Sequence, residues 1–207
     1  MSLAFINAGL FSLAAIALLG SPGPAIAALL VVGKGQGLRR GLAFYGGLQV
    51  GLALAAAVSA AGLFSILQAF PAVLTTMSIL ATIYLVYIAY QIAVAPVGLS
   101  DGSSHRTTEA TSLGGFLLGI TNPKAYVAFV TLMASSSIAG ANASLDAVLK
   151  WLICVVVMIV VDLAWLGVGV GLRRAGLGAS AERALNVTMG ATILVVAVLP
   201  FWPSHCF

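Results

Sequence analysis

The chain has 207 residues, 61% of them hydrophobic and only 7% charged, with a net charge of +4 and a mean hydropathy of +1.14. Soluble domains carry about 25% charged residues, so a water-soluble globular fold is excluded and an integral membrane protein is expected. The charged side chains cluster and leave apolar runs of about 20 residues or more, enough for a helix to cross roughly 30 Å of hydrocarbon; barrel strands would alternate over about ten. The positive balance needs no nucleic-acid partner, because Lys and Arg enrichment in cytoplasmic loops gives the same sign.

The first apolar segment covers residues 3–32 and is interrupted by Gly20-Ser21-Pro22-Gly23-Pro24-Ala25. Thirty helical residues would reach roughly 45 Å, too long for a straight crossing, so a break is expected where Pro22 and Pro24 remove backbone donors and Gly23 relaxes φ. A retained segment rather than a signal peptide is expected, since no positive n-region precedes it. Residues 33–41, with Lys34, Arg39 and Arg40, read as the first loop.

A second span is expected over 41–67, with Gly47, Gly51 and Ala55 at four-residue intervals forming a stripe that lets another helix approach closely and would permit a homodimer. A third covers 72–94, where Tyr84, Tyr87 and Tyr90 share one face. Tyr87 and Tyr90 suit an interfacial anchor, and Tyr84 and Tyr87 are also candidates to line a pore. Residues 95–112 turn polar and form a loop whose His105 reads as a solvated residue.

The fourth span, 113–138, repeats the opening pattern: Leu117-Leu118-Gly119 leads into Asn122-Pro123-Lys124-Ala125, as Leu18-Leu19-Gly20 leads into the first break. A fifth, 145–172, holds Asp162 deep in an apolar run, and a sixth covers 184–202. Cys154 and Cys206 support neither a disulfide framework nor a thiol metal site.

Seven of the nine Lys and Arg (Lys34, Arg39, Arg40, Arg106, Arg173, Arg174, Arg183) fall after spans one, three and five, which places loops 33–41, 95–112 and 173–183 in the cytoplasm. Three spans repeated once must enter the membrane in opposite orientations. The expected fold is therefore an all-α membrane protein with six transmembrane helices in two inverted three-helix repeats, spans 1 and 4 being broken at Pro. It forms one domain over 1–207, with the repeats at 1–94 and 113–207 joined by the polar loop 95–112.

Chemistry concentrates at the breaks. A broken helix in lipid leaves backbone groups unpaired unless protein or a water-filled cavity satisfies them, and matching breaks in two halves point to a transporter site. A new half-helix starting near Ala25 or Lys124 would offer N–H groups and a positive dipole end to an anionic group such as a carboxylate. Proline kinks made for packing alone are the plainer alternative. Lys124 costs about 2.5–3.5 kcal/mol at membrane depth unless it pairs, snorkels or lines water. Its candidate partners are a substrate carboxylate and Asp162. Asp162 reads either as an ion or proton path or as a structural salt bridge or helix cap. No Walker loop, dinucleotide fingerprint or HExxH stands in the chain, so neither an enzyme nor a cofactor is expected, and an ion gradient is the default energy source.

These residues resemble the LysE/RhtB family of bacterial amino-acid exporters over nearly the whole chain. The resemblance rests on Pro22-Gly23-Pro24 followed by Gly37, Gly41, Gly47 and Gly51, on Tyr84-Leu85 with Tyr87, and on Gly119 with Asn122-Pro123-Lys124-Ala125. It continues through Asp162 to Trp165 ahead of Arg173, and Arg183 ahead of Gly190. The chain departs from the family at Ala25, where members often carry Asn or Asp, and at Ala81 and Ala89, where Gly is common. The resemblance implies export of amino acids or related small zwitterions across the inner membrane of a bacterium, in exchange for protons. The substrate site would comprise Pro22, Gly23, Pro24, Ala25, Asn122, Pro123 and Lys124, with Asp162 as the coupling acid and no metal. A non-transporting scaffold or enzyme subunit, or a cation exporter of the same superfamily, are the competing readings.

Overall fold

The computed structural model describes residues 2–21, 23–62, 110–175 and 179–198, with single positions between 72 and 94. Pro22, Tyr84 and loop residues 95–109 lie outside the described residues. Among the described residues six helices have continuous bounds: α1 Ser2–Leu19, α2 Pro24–Ala60, α3 Ser112–Thr121, α4 Pro123–Met133, α5 Ala143–Arg174 and α6 Ala179–Val198. The described positions within 72–93 are also helical. Among the described residues no strand occurs, as the continuous apolar runs require.

The first segment breaks where the prolines demand. α1 ends at Leu19, and α2 restarts with Pro24 at its first position behind Gly23 as N-cap. Phe11 and Ala15 of α1 are buried, while Phe5, Ile6, Leu10, Leu13 and Ile16 are exposed, an outward apolar face that suits lipid.

The loop expected at 33–41 is corrected by the structure. These residues are helical except for Gly37, whose φ of 73° and ψ of −174° reverse the chain. The reversal is visible in the contacts: a Cβ on Gly33 would meet Leu166 O and one on Gly41 would meet Leu166 Cδ1, both 2.6–2.7 Å away. Eight residues of straight helix would separate those two glycines by about 12 Å. A single left-handed residue therefore does the work of the loop, and Gly is the residue that adopts that conformation without a Cβ penalty. α2 is thus two arms, Pro24 to Gln36 and Leu38 to Ala60.

α5 is the axis of the molecule. α1 and the first arm of α2 follow it in the same direction: Phe11 lies at Lys150, Gly20 at Val161, Leu30 at Gly169 and Gly37 at Arg173. The second arm returns along it, with Tyr45 Oη donating to Ile159 O (3.0 Å), Gln49 to Asp162 and Trp151 Nε1 to Ala53 O (3.0 Å). α3 lies parallel to that returning arm, because Gly47 packs on Ser112 and Gly51 on Phe116 and Gly119.

The α2–α3 seam is made by glycines on both sides. Cβ atoms added at Gly47, Gly51, Gly115 or Gly119 would overlap backbone atoms of the facing helix. Such close approach is how small residues associate helices in lipid. The stripe at Gly47 and Gly51 is consequently occupied within the chain and does not present the homodimer face expected of it.

α3 begins with the Thr111 hydroxyl capping Gly114 N (3.0 Å), and α5 with Asn142 Oδ1 capping Leu145 N (3.0 Å). α3 and α4 meet at Asn122 with a bend of 53°, so the fourth span is broken at the expected residue. α4 ends at Met133, short of the expected 138, because residues 134–142 fold back onto the start of α5. There Asp146 accepts from Ser137 Oγ, Ile138 N and Ala139 N. By length and apolar composition α5 could cross a membrane, and so could α2 if its two arms formed one straight helix; the bent α3–α4 pair qualifies as a broken span or re-entrant loop.

Candidate functional site

Both breaks arrive at the same level of α5, beside Met158 and Asp162. They enclose a cavity of ≈ 30 Å³ lined by residues including Ser21, Gly23, Pro24, Ala25, Asn122, Lys124 and Asp162. Such a volume holds about two water molecules.

Local chain chemistry sets the two rims alike. α2 and α4 each start with Pro at the first helical position, preceded by an N-cap residue, Gly23 or Asn122, whose side chain makes no capping bond. An uncapped first turn leaves its N–H groups to other acceptors, and each helix end carries roughly half a positive charge. Two such ends face one small cavity.

Lys124, the second residue of α4, crosses the cavity and donates its Nζ proton to Ser21 O in the opposite break. The crossing requires Gly23: a Cβ there would stand 2.7 Å from Lys124 Cδ and 2.9 Å from Nζ. The ammonium thus reaches the carbonyl end of α1, where a cation is favoured. Of the alternatives open for Lys124, the structure shows an inward-facing side chain bound to protein, not one that snorkels.

Asp162 is 4% exposed and accepts from Gln49 Nε2 at 2.8 Å. It lines the cavity with Lys124, and the two charges act on each other electrostatically. Two acceptors around it are left over. Asn122 Oδ1 and Gln49 Oε1 are buried and find no hydrogen-bond partner among the described residues, a costly condition in a folded interior unless another group, a ligand or water supplies the donor.

Of the residues expected at the site, Gly23, Pro24, Ala25, Asn122, Lys124 and Asp162 line one cavity. Pro123 starts α4 beneath it and is not among the lining residues. Pro22 and Tyr84 fall outside the described residues. Tyr87 is 46% exposed on a face shared with Ile79, Ile83, Val86 and Tyr90, and does not line the cavity.

Three contributors were missed from the sequence. Gln49 was legible as the one amide inside an otherwise apolar second span. Ser21 contributes through its backbone carbonyl, which no side-chain pattern announces. Lys150, counted only as a charge on the far side, is 2% exposed; it pairs with Asp146 at 2.9 Å and donates to Met133 O and Ser135 O, tying the end of α4 to α5. Among the described residues no group of three His, Cys, Asp or Glu stands close enough to hold a metal.

With this geometry in view, the sequence was compared with known proteins. The family model described as LysE type translocator matches residues 16–200. The chain belongs to the LysE type translocator family. No significant match was found among curated proteins or among solved structures. Membership makes this translocator an integral membrane protein that moves a small-molecule substrate and is solvated by lipid. The matched region contains both helix breaks, Gln49 and Asp162, so the cavity lies inside the family's own domain.

Proposed function

We propose that this translocator exports amino acids or related small zwitterions across a bacterial inner membrane in exchange for protons, by alternating access around the cavity between the two breaks. The observation that carries the reading is the convergence of two helix N-termini, Lys124 and Asp162 on one cavity. The N-termini and Lys124 suit a carboxylate. Asp162 and the unpartnered oxygens suit an ammonium group. A zwitterion satisfies both at once.

Supporting the inverted-repeat reading, the broken first segment runs with α5 whereas the broken α3–α4 segment runs against it, and their breaks meet near the middle of α5. In a six-span arrangement the 95–112 connection lies on the cytoplasmic side with 33–41 and 173–183, and the cavity opens to one side at a time. Asp162, with Gln49 as its partner, is the group that takes up and releases the exchanged proton.

The test is efflux of preloaded labelled amino acids from cells with and without the protein. Faster loss of one or more amino acids is expected with the protein present. Equal loss across a broad panel would remove the amino-acid assignment.

A further inference from the structure

The chain's net charge of +4 is not spread along the molecule. Lys124 is balanced by Asp162 and Lys150 by Asp146, so the whole excess belongs to segments 33–41, 95–112 and 173–183, with Asp101, Glu109 and Glu182 already counted against their seven Lys and Arg. The fold gathers six of those seven at one end. The turn at Gly37 is the meeting point: a Cβ there would stand 2.7 Å from the Arg173 guanidinium, Arg174 ends the same helix, and Arg39 and Arg40 follow the turn directly. Three residues before the turn, Lys34 Nζ donates to Asn186 Oδ1 at 2.6 Å, which brings in the first turns of α6 and Arg183 with them.

Arg39, Arg173 and Arg174 are exposed, and beside Arg39 the apolar Leu38 and Leu42 are 46% and 43% exposed on one face of the returning arm. Like charges crowded at one end repel one another, and an anion that neutralises them stabilises the folded state. We infer that the Gly37 end binds the phosphate of an anionic phospholipid headgroup, with Arg39, Arg173 and Arg174 as the contacting cations and Leu38 and Leu42 against the acyl chains. The planar guanidinium fork matches phosphate oxygens, and a basic cluster where a bundle meets the headgroup layer attracts anionic lipid. Free phosphate would supply the same anion but leave Leu38 and Leu42 unmatched. Arg174 stands roughly 18 Å along α5 from Asp162, so the lipid site is separate from the cavity and does not depend on what the cavity carries.

The experiment is thermal unfolding of the purified full chain in neutral detergent with added phosphatidylglycerol, phosphatidylcholine or inorganic phosphate. Phosphatidylglycerol is expected to reach half-maximal stabilisation at a concentration about tenfold lower than phosphatidylcholine, and inorganic phosphate to stabilise far less than either lipid. The preference should shrink as NaCl is raised from about 0.05 to about 0.5 M, since exposed charges are screened over that range. Arg39→Gln with Arg174→Gln is expected to abolish the preference while melting like the wild type without lipid, and Arg39→Lys with Arg174→Lys to retain most of it. Equal stabilisation by the two lipids, a preference unchanged in the glutamine variant, or inorganic phosphate acting as strongly as phosphatidylglycerol would overturn the inference. Should the glutamine variant fail to fold, the wild type decides, because a preference that ignores salt overturns it equally.

Discussion

Lys124 carries most of the consequence at the scale of single residues. A cation at this depth is costly, and the fold offsets the cost by giving it Ser21 O as an acceptor and Asp162 as a neighbouring charge. Lys124→Ala and Asp162→Asn are each expected to abolish labelled amino-acid efflux while membrane expression, read by immunoblot, is unchanged. Full activity in both would reduce the pair to a structural device. Gly23→Ala is a subtler test, because its methyl group would meet the flexible Lys124 side chain rather than backbone. The ammonium would be displaced from Ser21 O without loss of the fold. Transport is expected to fall at least about tenfold, the scale of an ångström-sized misplacement in a site, with the melting temperature nearly unchanged.

At the scale of elements, the glycine seam between α2 and α3 and the clamp at the start of α5 fix where the two breaks meet. Gly115 has Phe44 O and Leu48 N against it, whereas a Cβ on Gly46, on the same arm as Gly47, meets nothing within 4 Å among the described residues. Gly115→Ala is expected to lower stability by about 1–3 kcal/mol, since backbone must move to admit the methyl group, and Gly46→Ala to change it little. Thermal unfolding of the purified proteins in detergent reads both. Lys150 holds the chain end of α4 through Met133 O and Ser135 O and lies 5.9 Å from the centre of the Phe11 ring. Lys150→Met removes the ion-pair partner of Asp146 and three fixed contacts, and is expected to cost about 3 kcal/mol, seen as a melting temperature lower by roughly 6 °C or more.

For the whole molecule, the decisive arrangement is two broken segments running in opposite directions beside one straight helix. Their breaks meet at its middle and line one small cavity between them. In the alternating access proposed above, the segments would rock about α5. The expected orientation puts Arg174 at the cytoplasmic end and Ala141 at the opposite one. In a Cys206→Ser background, Ala141→Cys should react with a membrane-impermeant maleimide in intact cells, and Arg174→Cys only in inside-out vesicles. The reverse pattern would invert the topology.

The helical membrane class, the positions of both breaks and the inward-facing charges of Lys124 and Asp162 were legible in the sequence, for a common reason. Hydrophobic length, missing proline donors and the cost of intramembrane charge are local properties that need no partner to be recognised. The turn at Gly37 was not legible as a single residue, since its Lys and Arg neighbours have the composition of a loop while their backbone is helical. The role of Gln49 depended on which helix it would face, and the glycine stripe at Gly47 and Gly51 marked a close contact without naming the partner, α3. Tertiary structure alone decided that the two breaks, 99 residues apart at Pro24 and Pro123, share one cavity, and that Lys124 reaches across it to Ser21. Such pairings arise from the packing of α1 through α5 against one another, a property of the assembled bundle that no single segment contains.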